Sequence, residues 1–307
     1  GLEVGGSPNH RVPAVSHMLW LRVGAIDDPQ GKSGIAHYHE HMMYDGTPRY
    51  PSGEYANIIN AAGGQQNAFT GHDATAYYID IAKDRLPLAM SLEANRLGPL
   101  APTDADAAKE KEVIIEERRQ RIENNPTALF SEQMAASLYR NHAYQRPVIG
   151  WMHEMQGLTK EDVLKFHRTW YHPNNAILIL SGDITAAEAR PLVERYYGEL
   201  PRVPVSARQW GDEPPQNAAR NLTMRHANIQ QPVWSRVYMA PSLAYGDKEQ
   251  ALPLLLLSQL LGGGKTSKLY RLLVVDKKIA SAVDVSYDLF TLGPSEFEIT
   301  LTPEADI

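Results

Sequence analysis

Residues 37–41 read His37-Tyr38-His39-Glu40-His41. If this stretch is helical, each residue advances by about 100° around the axis, so His37, Glu40 and His41 share one face. His39 then points to the other side. Two imidazoles one turn apart can hold one metal ion, and a carboxylate beside them can accept and return protons. The stretch therefore predicts a short helix that presents a metal site together with a general base.

A third protein ligand is expected on a second helix. The order His-x-x-Glu-His is the inverse of His-Glu-x-x-His, and both are typical of helices that bind catalytic zinc. Such a site takes three protein ligands and leaves the fourth position open. Residues 109–119 are expected to be helical after a start signal at 102–104, and on this helix Glu110 and Glu117 share one face. The alternative is a solvated face on which glutamates pair with lysines at i,i+4.

The motifs around these residues resemble those of one known family. Residues 34–47 resemble the signature of the pitrilysin/insulinase family of zinc peptidases, which includes the mitochondrial processing peptidases. Further matches to the family pattern run through essentially the whole chain: residues 63–70, Asp73, Thr75, Tyr77, Glu110, Glu117, and residues 124–126, 171–176 and 182–183. The resemblance implies a zinc-dependent endopeptidase of the His-x-x-Glu-His type.

The resemblance also implies a role for each residue of the site. His37, His41 and Glu117 would be the ligands of one zinc ion per chain. Glu40 would be the catalytic base, which takes a proton from water as the water attacks the scissile carbonyl. Glu110 would hydrogen-bond one of the ligands and orient it, as such sites need.

Asn67-Ala68-Phe69-Thr70 is the expected substrate-binding strand. It leads into residues 74–81, which are rich in β-forming residues. In the family, the first of these two strands lies at a sheet edge beside the zinc, and an extended peptide adds to it as a further strand. Phe69 would then line a side-chain pocket. The alternative for Phe69 is an aromatic residue of the β core.

The chain is expected to contain two homologous α/β modules. Residues 212–217 are polar and contain two prolines, which predicts a linker at 212–218. The linker would separate a zinc-bearing module, residues 1–211, from the first part of a metal-free module, residues 219–307. The predicted fold class is α+β, with a mainly antiparallel sheet packed with helices in each module. The second copy stops before its expected later elements, so the chain is expected to be a fragment of a longer one.

The second copy lacks the metal ligands and two further residues of the family. Leu255, Ser258 and Gln259 stand where the first copy has its histidines and glutamate. The family usually adds an Arg and a Tyr from its second half, but residues 274–281 contain neither. The family includes two-chain enzymes in which a metal-free homologue carries the Arg/Tyr pair. The resemblance therefore implies the zinc-bearing subunit of a heterodimer, with a homodimer as the alternative.

Composition sets limits on other functions. The formal net charge is −6 over 307 residues and no block of Lys and Arg stands out, which argues against a nucleic-acid partner. No apolar run is long enough to cross a bilayer. The chain has no cysteine, which removes disulfides and cysteine-ligated metals.

The rival function is a non-catalytic homologue that serves as a scaffold in a larger complex. A periplasmic location is expected, with the cytoplasm as the alternative.

Overall fold

The computed structural model describes residues 1–304 and divides the chain into two compact units. Unit 1 consists of Gly1–Asn125 and Ala143–Gly211. Unit 2 consists of Pro126–His142 and the residues from Asp212 onward. The break after Gly211 falls where the predicted linker begins. The segment Pro126–His142, which lies inside the predicted first module, groups with unit 2.

Unit 1 is built on a five-stranded sheet with the strand order β1-β5-β2-β4-β3. The strands are β1 (Glu3–Pro8), β2 (Ala14–Leu21), β3 (Gln65–Thr70), β4 (Thr75–Ala82) and β5 (Ala176–Gly182). The β1–β5 pair is parallel, and the other three pairs are antiparallel. This order places β3, which contains the expected substrate-binding residues, at one edge of the sheet.

The structure contains nine α-helices within residues 1–304. In chain order they are α1 (Ile35–Met42), α2 (Glu54–Ala61), α3 (Leu86–Arg96), α4 (Asp104–Arg118), α5 (Pro126–Leu138), α6 (Met152–Gln156), α7 (Lys160–Trp170), α8 (Ala186–Tyr197) and α9 (Ala251–Gly262). Helices α5 and α9 belong to unit 2, and the others belong to unit 1. Within residues 1–304, none of the helices has the length and apolar character that a membrane span requires.

The core of unit 1 joins one face of the sheet to the helices. Strand β2 alternates between buried and half-buried residues, the period expected when one face of a strand is covered. Its buried Leu19 belongs to the same cluster as Tyr38 of α1, Met90 of α3, Ile114 of α4 and Val163 of α7. Burial of each large apolar side chain stabilises the fold by about 1.5–3 kcal/mol. The cluster therefore fixes α1 against the sheet and against α4.

Unit 2 contains a three-stranded antiparallel sheet. Its strands are β6 (Trp234–Ala240), β7 (Ala280–Tyr287) and β8 (Ser295–Pro303), in the order β6-β8-β7. Leu254 and Leu255 of α9 pack against Val285 and Phe297 of the sheet. The order strand, helix, strand, strand resembles that of β2, α1 and the β3–β4 hairpin in unit 1, where α2 adds a second helix before the hairpin. Two mainly antiparallel sheets packed with helices confirm the predicted α+β class, with an incomplete second module.

A pair of buried histidines lies where α1 meets α7. The Nε2 atom of His39 lies 3.0 Å from Nδ1 of His167, and Nε2 of His167 lies 2.7 Å from the carbonyl oxygen of Gly98. Because a carbonyl only accepts, His167 carries its hydrogen on Nε2, and its Nδ1 accepts from His39. Burial lowers the pKa of both rings, that of His167 to about 4. Both rings are therefore neutral in the folded protein at neutral pH.

We expect the free energy of unfolding to fall as the pH drops from 6.5 towards 4. In this window the unfolded chain binds a proton at His167 that the folded protein excludes, so acid favours the unfolded state. A difference of one bound proton over two pH units lowers the free energy of unfolding by about 2–3 kcal/mol. Urea unfolding at pH 7 and pH 4.5 measures this decrease, which should be smaller in His167→Gln by about 2–3 kcal/mol. The exposed His153→Gln is the control, and equal pH dependence in both variants would contradict the prediction.

Candidate metal centre

The helix with the histidine motif, α1, begins at a restricted backbone position. Its N-cap, Gly34, has a φ of 87°, and a Cβ atom there would lie 2.5 Å from the carbonyl oxygen of Ile149. A larger residue would therefore be strained in its backbone and would also clash. The buried carboxylate of Asp28 accepts hydrogen bonds from the backbone N–H groups of Gly34 (2.7 Å) and Ala36 (3.0 Å). These bonds satisfy amide groups that a helix start leaves without partners.

Helix α4 carries the candidate third ligand and has a well-defined start. The hydroxyl of Thr103 accepts a hydrogen bond from the backbone N–H of Asp106, and the carboxylate of Asp106 accepts one from the N–H of Thr103. This reciprocal capping box fixes the first turn. The hydroxyl of Tyr38 on α1 donates to the carbonyl oxygen of Ala107 at 2.5 Å. The two helices are therefore joined by a polar contact as well as by the apolar core.

His37, His41 and Glu117 come together at the contact between α1 and α4. The Nε2 atoms of His37 and His41 lie 3.6 and 3.4 Å from Oε2 of Glu117. One ligand atom from each of the three residues lies within 4.8 Å of the others. Two atoms that are each about 2.1 Å from a tetrahedral zinc ion lie about 3.4 Å apart, so the spacing fits this metal. Oε2 of Glu117 is shielded from solvent and faces the Nε2 atoms of both imidazoles, so its charge is directed to the point where a cation would bind.

The two imidazoles of this group differ in their affinity for a proton. Burial, reinforced by the charge of His41, lowers the pKa of His37 to about 4. Burial also acts to lower the pKa of His41, but hydrogen bonds to Glu110 and Glu117, together with their charges, raise it to about 9. The contact with His41 in turn lowers the pKa of Glu117. A metal ion held by these residues would replace the proton that His41 holds between the two carboxylates.

Glu110 and Arg121 contact two of the candidate ligands. Nδ1 of His41 donates to Oε1 of Glu110 at 2.7 Å, which leaves Nε2 of His41 available to a metal. Nη1 of Arg121 lies 2.9 Å from Oε1 of Glu117, so the other carboxylate oxygen faces the imidazoles. Arg121 lies in a π-helical turn, Arg119–Glu123, that continues α4. Single π turns inside helices are frequent at functional sites.

Glu40 lies beside the three candidate ligands. Its side chain is on the same face of α1 as His37 and His41, and the residue is only 8% exposed. The hydroxyl of Thr70 donates to Oε2 of Glu40 at 2.5 Å. Burial raises the pKa of Glu40, and the hydrogen bond from Thr70 opposes this shift. A buried carboxylate with a raised pKa is suited to accept a proton and to give it back.

The edge strand β3 directs backbone groups to the open side of the sheet. In the turn that joins β3 to β4, the N–H of Gly71 donates to the carbonyl oxygen of Ala74 at 2.8 Å, which makes this a hydrogen-bonded pair. Hydrogen-bonded and non-hydrogen-bonded pairs alternate along an antiparallel ladder. It follows from the register that Ala68 and Thr70 direct their backbone N–H and C=O groups away from β4. The backbone of Phe69, which lies between them, bonds to β4.

The four expected substrate-binding residues divide between the two faces of β3. Ala68 and Thr70 are half-buried and lie on the inner face, near Glu40. Phe69 is 43% exposed and packs edge-on against Trp20 on the outer face, with ring centroids 5.6 Å apart. The side chain of Asn67 turns to the strand edge, where its Oδ1 accepts from the N–H of Ala68 at 2.8 Å. The structure therefore places Phe69 outside the group of side chains around Glu40.

A cavity of about 250 Å³ lies between the candidate ligands and strand β3. Its lining includes Glu40, His41, Tyr44, Asp45, Gln66 and Glu110. Burial, together with the charge of Glu110, raises the pKa of Asp45 to about 6. The cavity opens beside the carboxylate of Glu40, so it is large enough and close enough to receive one side chain of a bound molecule.

Comparison with known families identifies the class of protein to which this fold and site belong. The family model described as insulinase, peptidase family M16, matches residues 7–151. The model described as peptidase M16 inactive domain matches residues 157–306. Together the two matches span nearly the whole chain, and the chain belongs to the pitrilysin/insulinase family, peptidase family M16.

Relatives and solved structures agree with this assignment. The chain is 31% identical to zinc protease PqqE of Helicobacter pylori over 284 residues, which cover 92% of this chain and 63% of that protein. A crystal structure of a protease from Helicobacter pylori has a TM-score of 0.89 at 29% identity and covers 100% of this chain and 74% of that one. The first half of the periplasmic protease PqqL from Escherichia coli shares the fold, with a TM-score of 0.85 at 23% identity, over 100% of this chain and 67% of that one. The chain thus spans less than two thirds of the length of PqqE.

We expect zinc to be lost when a candidate ligand is removed. His41→Ala and Glu117→Gln should each remove most of the bound metal, because two remaining protein ligands hold zinc poorly. Glu116→Gln is the matched control, since Glu116 is adjacent to Glu117 in sequence but is exposed and pairs with Arg119. Elemental analysis after dialysis gives the zinc content per chain. Full zinc occupancy in His41→Ala would rule out this ligand set.

Proposed function

We propose that this chain is the zinc-bearing part of an endopeptidase that hydrolyses peptides or unfolded segments. The observation that carries the proposal is the convergence of His37, His41 and Glu117 on one point, with the buried carboxylate of Glu40 beside them. Three protein ligands leave a fourth position for water or substrate, which is typical of catalytic rather than structural zinc. The similarity to a protein named zinc protease PqqE supports both the metal and the class of reaction.

The residues of the site are suited to peptide hydrolysis. A bound zinc ion would lower the pKa of a water molecule and polarise the scissile carbonyl group. Glu40 accepts a proton from the attacking water while the water oxygen bonds to the carbonyl carbon. The same carboxyl group then delivers this proton to the amide nitrogen as the carbon–nitrogen bond breaks. Glu110 and Arg121 keep the ligands oriented during both steps.

Substrate would bind to β3 as an added strand. The outward-facing backbone groups of Ala68 and Thr70 offer hydrogen bonds that any extended peptide can make, whatever its sequence. The side chain of Asn67 covers the N–H of Ala68 and would have to turn away when the peptide pairs with the strand. The cavity beside Glu40 would receive one substrate side chain. Because only an extended chain can pair in this way, folded proteins would be poor substrates.

The role of the base is tested by Glu40→Gln. The amide has nearly the shape of the carboxylate, so zinc should remain bound while peptide cleavage falls by about 10²- to 10⁴-fold with the loss of the proton acceptor. Zinc content and the rate of cleavage of a fluorogenic peptide are measured on the same sample. Turnover that survives in a zinc-loaded Glu40→Gln protein would mean that another group is the base.

We also propose that activity needs a second, homologous subunit. Residues 274–281 run from the π-helical turn Tyr270–Asp276 into β7, and they contain neither the Arg nor the Tyr that the family uses to support the transition state. Loss of one such donor typically costs about 3–4 kcal/mol of transition-state stabilisation. A metal-free homologue that carries the Arg/Tyr pair would supply it. A periplasmic location stays a prediction.

The two-subunit proposal makes a direct prediction. The purified zinc-bearing protein, at full length, should cleave peptides at least ~100-fold more slowly alone than after mixing with a homologue that lacks His-x-x-Glu-His but has the Arg/Tyr pair. Size-exclusion chromatography on the same samples distinguishes a heterodimer from a homodimer. Equal rates with and without the homologue would contradict the heterodimer proposal.

A further inference from the structure

The carboxylate of Glu40 is itself a potential metal ligand in this site. It lies on the same face of α1 as His37 and His41, and carboxylate oxygens are zinc ligands. The terminal torsion of a glutamate is broad, so burial alone does not fix the direction in which its oxygens point. A glutamate that bound the metal would occupy the open position and would no longer act as a base. The carboxylate therefore needs a partner that holds it beside the metal site.

Thr70 is that partner. Its hydroxyl donates to Oε2 of Glu40, and its backbone groups point to the open edge of β3. The end of the strand is held firmly: the carbonyl oxygens of Gly71 and His72 accept hydrogen bonds from the N–H groups of Ala25 and Ile26, each at 3.0 Å. One residue therefore contacts the base with its side chain and offers its backbone to the peptide.

We propose that Thr70 is a positioning residue, which acts through Glu40 and ties the orientation of the base to the strand that receives the peptide. The inference rests on the proposed function. It differs from the sequence-based expectation, in which Thr70 belongs only to the substrate-binding strand. Its hydroxyl keeps the carboxylate turned towards the attacking water, and its place on β3 keeps that carboxylate in register with the bound peptide.

Substitution at Thr70 separates positioning from peptide binding. In the zinc-loaded protein, assayed together with the homologous subunit, Thr70→Val keeps the β-branched shape and the backbone edge but removes the hydroxyl. We expect kcat to fall about 10- to 50-fold with KM within twofold and zinc content unchanged, because the lost interaction orients a proton acceptor. Thr70→Ser should recover most of the rate. Thr75→Val is the matched control: Thr75 is opposite Thr70 in the ladder, but its hydroxyl donates to the carbonyl oxygen of Val23, so kcat should stay near the wild-type value.

Several results would overturn the proposal. An unchanged kcat in Thr70→Val, or a raised KM alone, would assign Thr70 to peptide binding only. Failure of Thr70→Ser to recover activity would assign the effect to shape, and loss of zinc from Thr70→Val would assign it to the fold.

Crystal structures of the zinc-loaded wild type and Thr70→Val test the proposal without turnover. The Glu40 carboxylate should move in the variant, and an unmoved carboxylate overturns the proposal. Absence of peptide cleavage by the zinc-loaded wild type, both alone and with the homologous subunit, would instead count against the proposed function.

Discussion

The candidate site depends on the packing of α1 against α4. These helices bring Oε2 of Glu117 to 3.6 Å from the imidazole of His37 and to 3.4 Å from that of His41. Glu117 follows these two histidines by about 80 positions in the sequence. The buried apolar cluster and the hydrogen bond from Tyr38 hold the helices together. Since catalytic zinc chemistry tolerates little error in the ligand positions, the capping of both helix starts and the rigid sheet beneath them serve the same geometry.

Residues close together in sequence could be predicted well, because helical geometry alone relates them. The positions of His37, Glu40 and His41 on one face of α1 followed from a rotation of about 100° per residue. The 7-residue spacing of Glu110 and Glu117 placed both on one face of α4, where Glu110 contacts His41. An i,i+4 pair of Glu117 with Arg121 could have been found in the same way.

The remaining features depend on tertiary contacts that leave little signal in the sequence. Asp28 supports the start of α1 from six residues before Gly34, outside the positions at which capping residues are sought. The inner and outer faces of β3, and hence the separate environments of Thr70 and Phe69, are set by its pairing with β4. Similarly, the segment Pro126–His142 groups with unit 2, where the carboxylate of Glu213 accepts hydrogen bonds from the backbone at residues 140–142.

The measurement that tests the zinc site most directly is anomalous X-ray diffraction at the zinc absorption edge, from crystals of the zinc-loaded protein. The geometry predicts one strong peak about 2.0–2.2 Å from Nε2 of His37, Nε2 of His41 and a carboxylate oxygen of Glu117, with Glu40 outside the set of ligands. A peak held by other residues, or crystals of the zinc-loaded protein with no peak between α1 and α4, would contradict the assignment of this site.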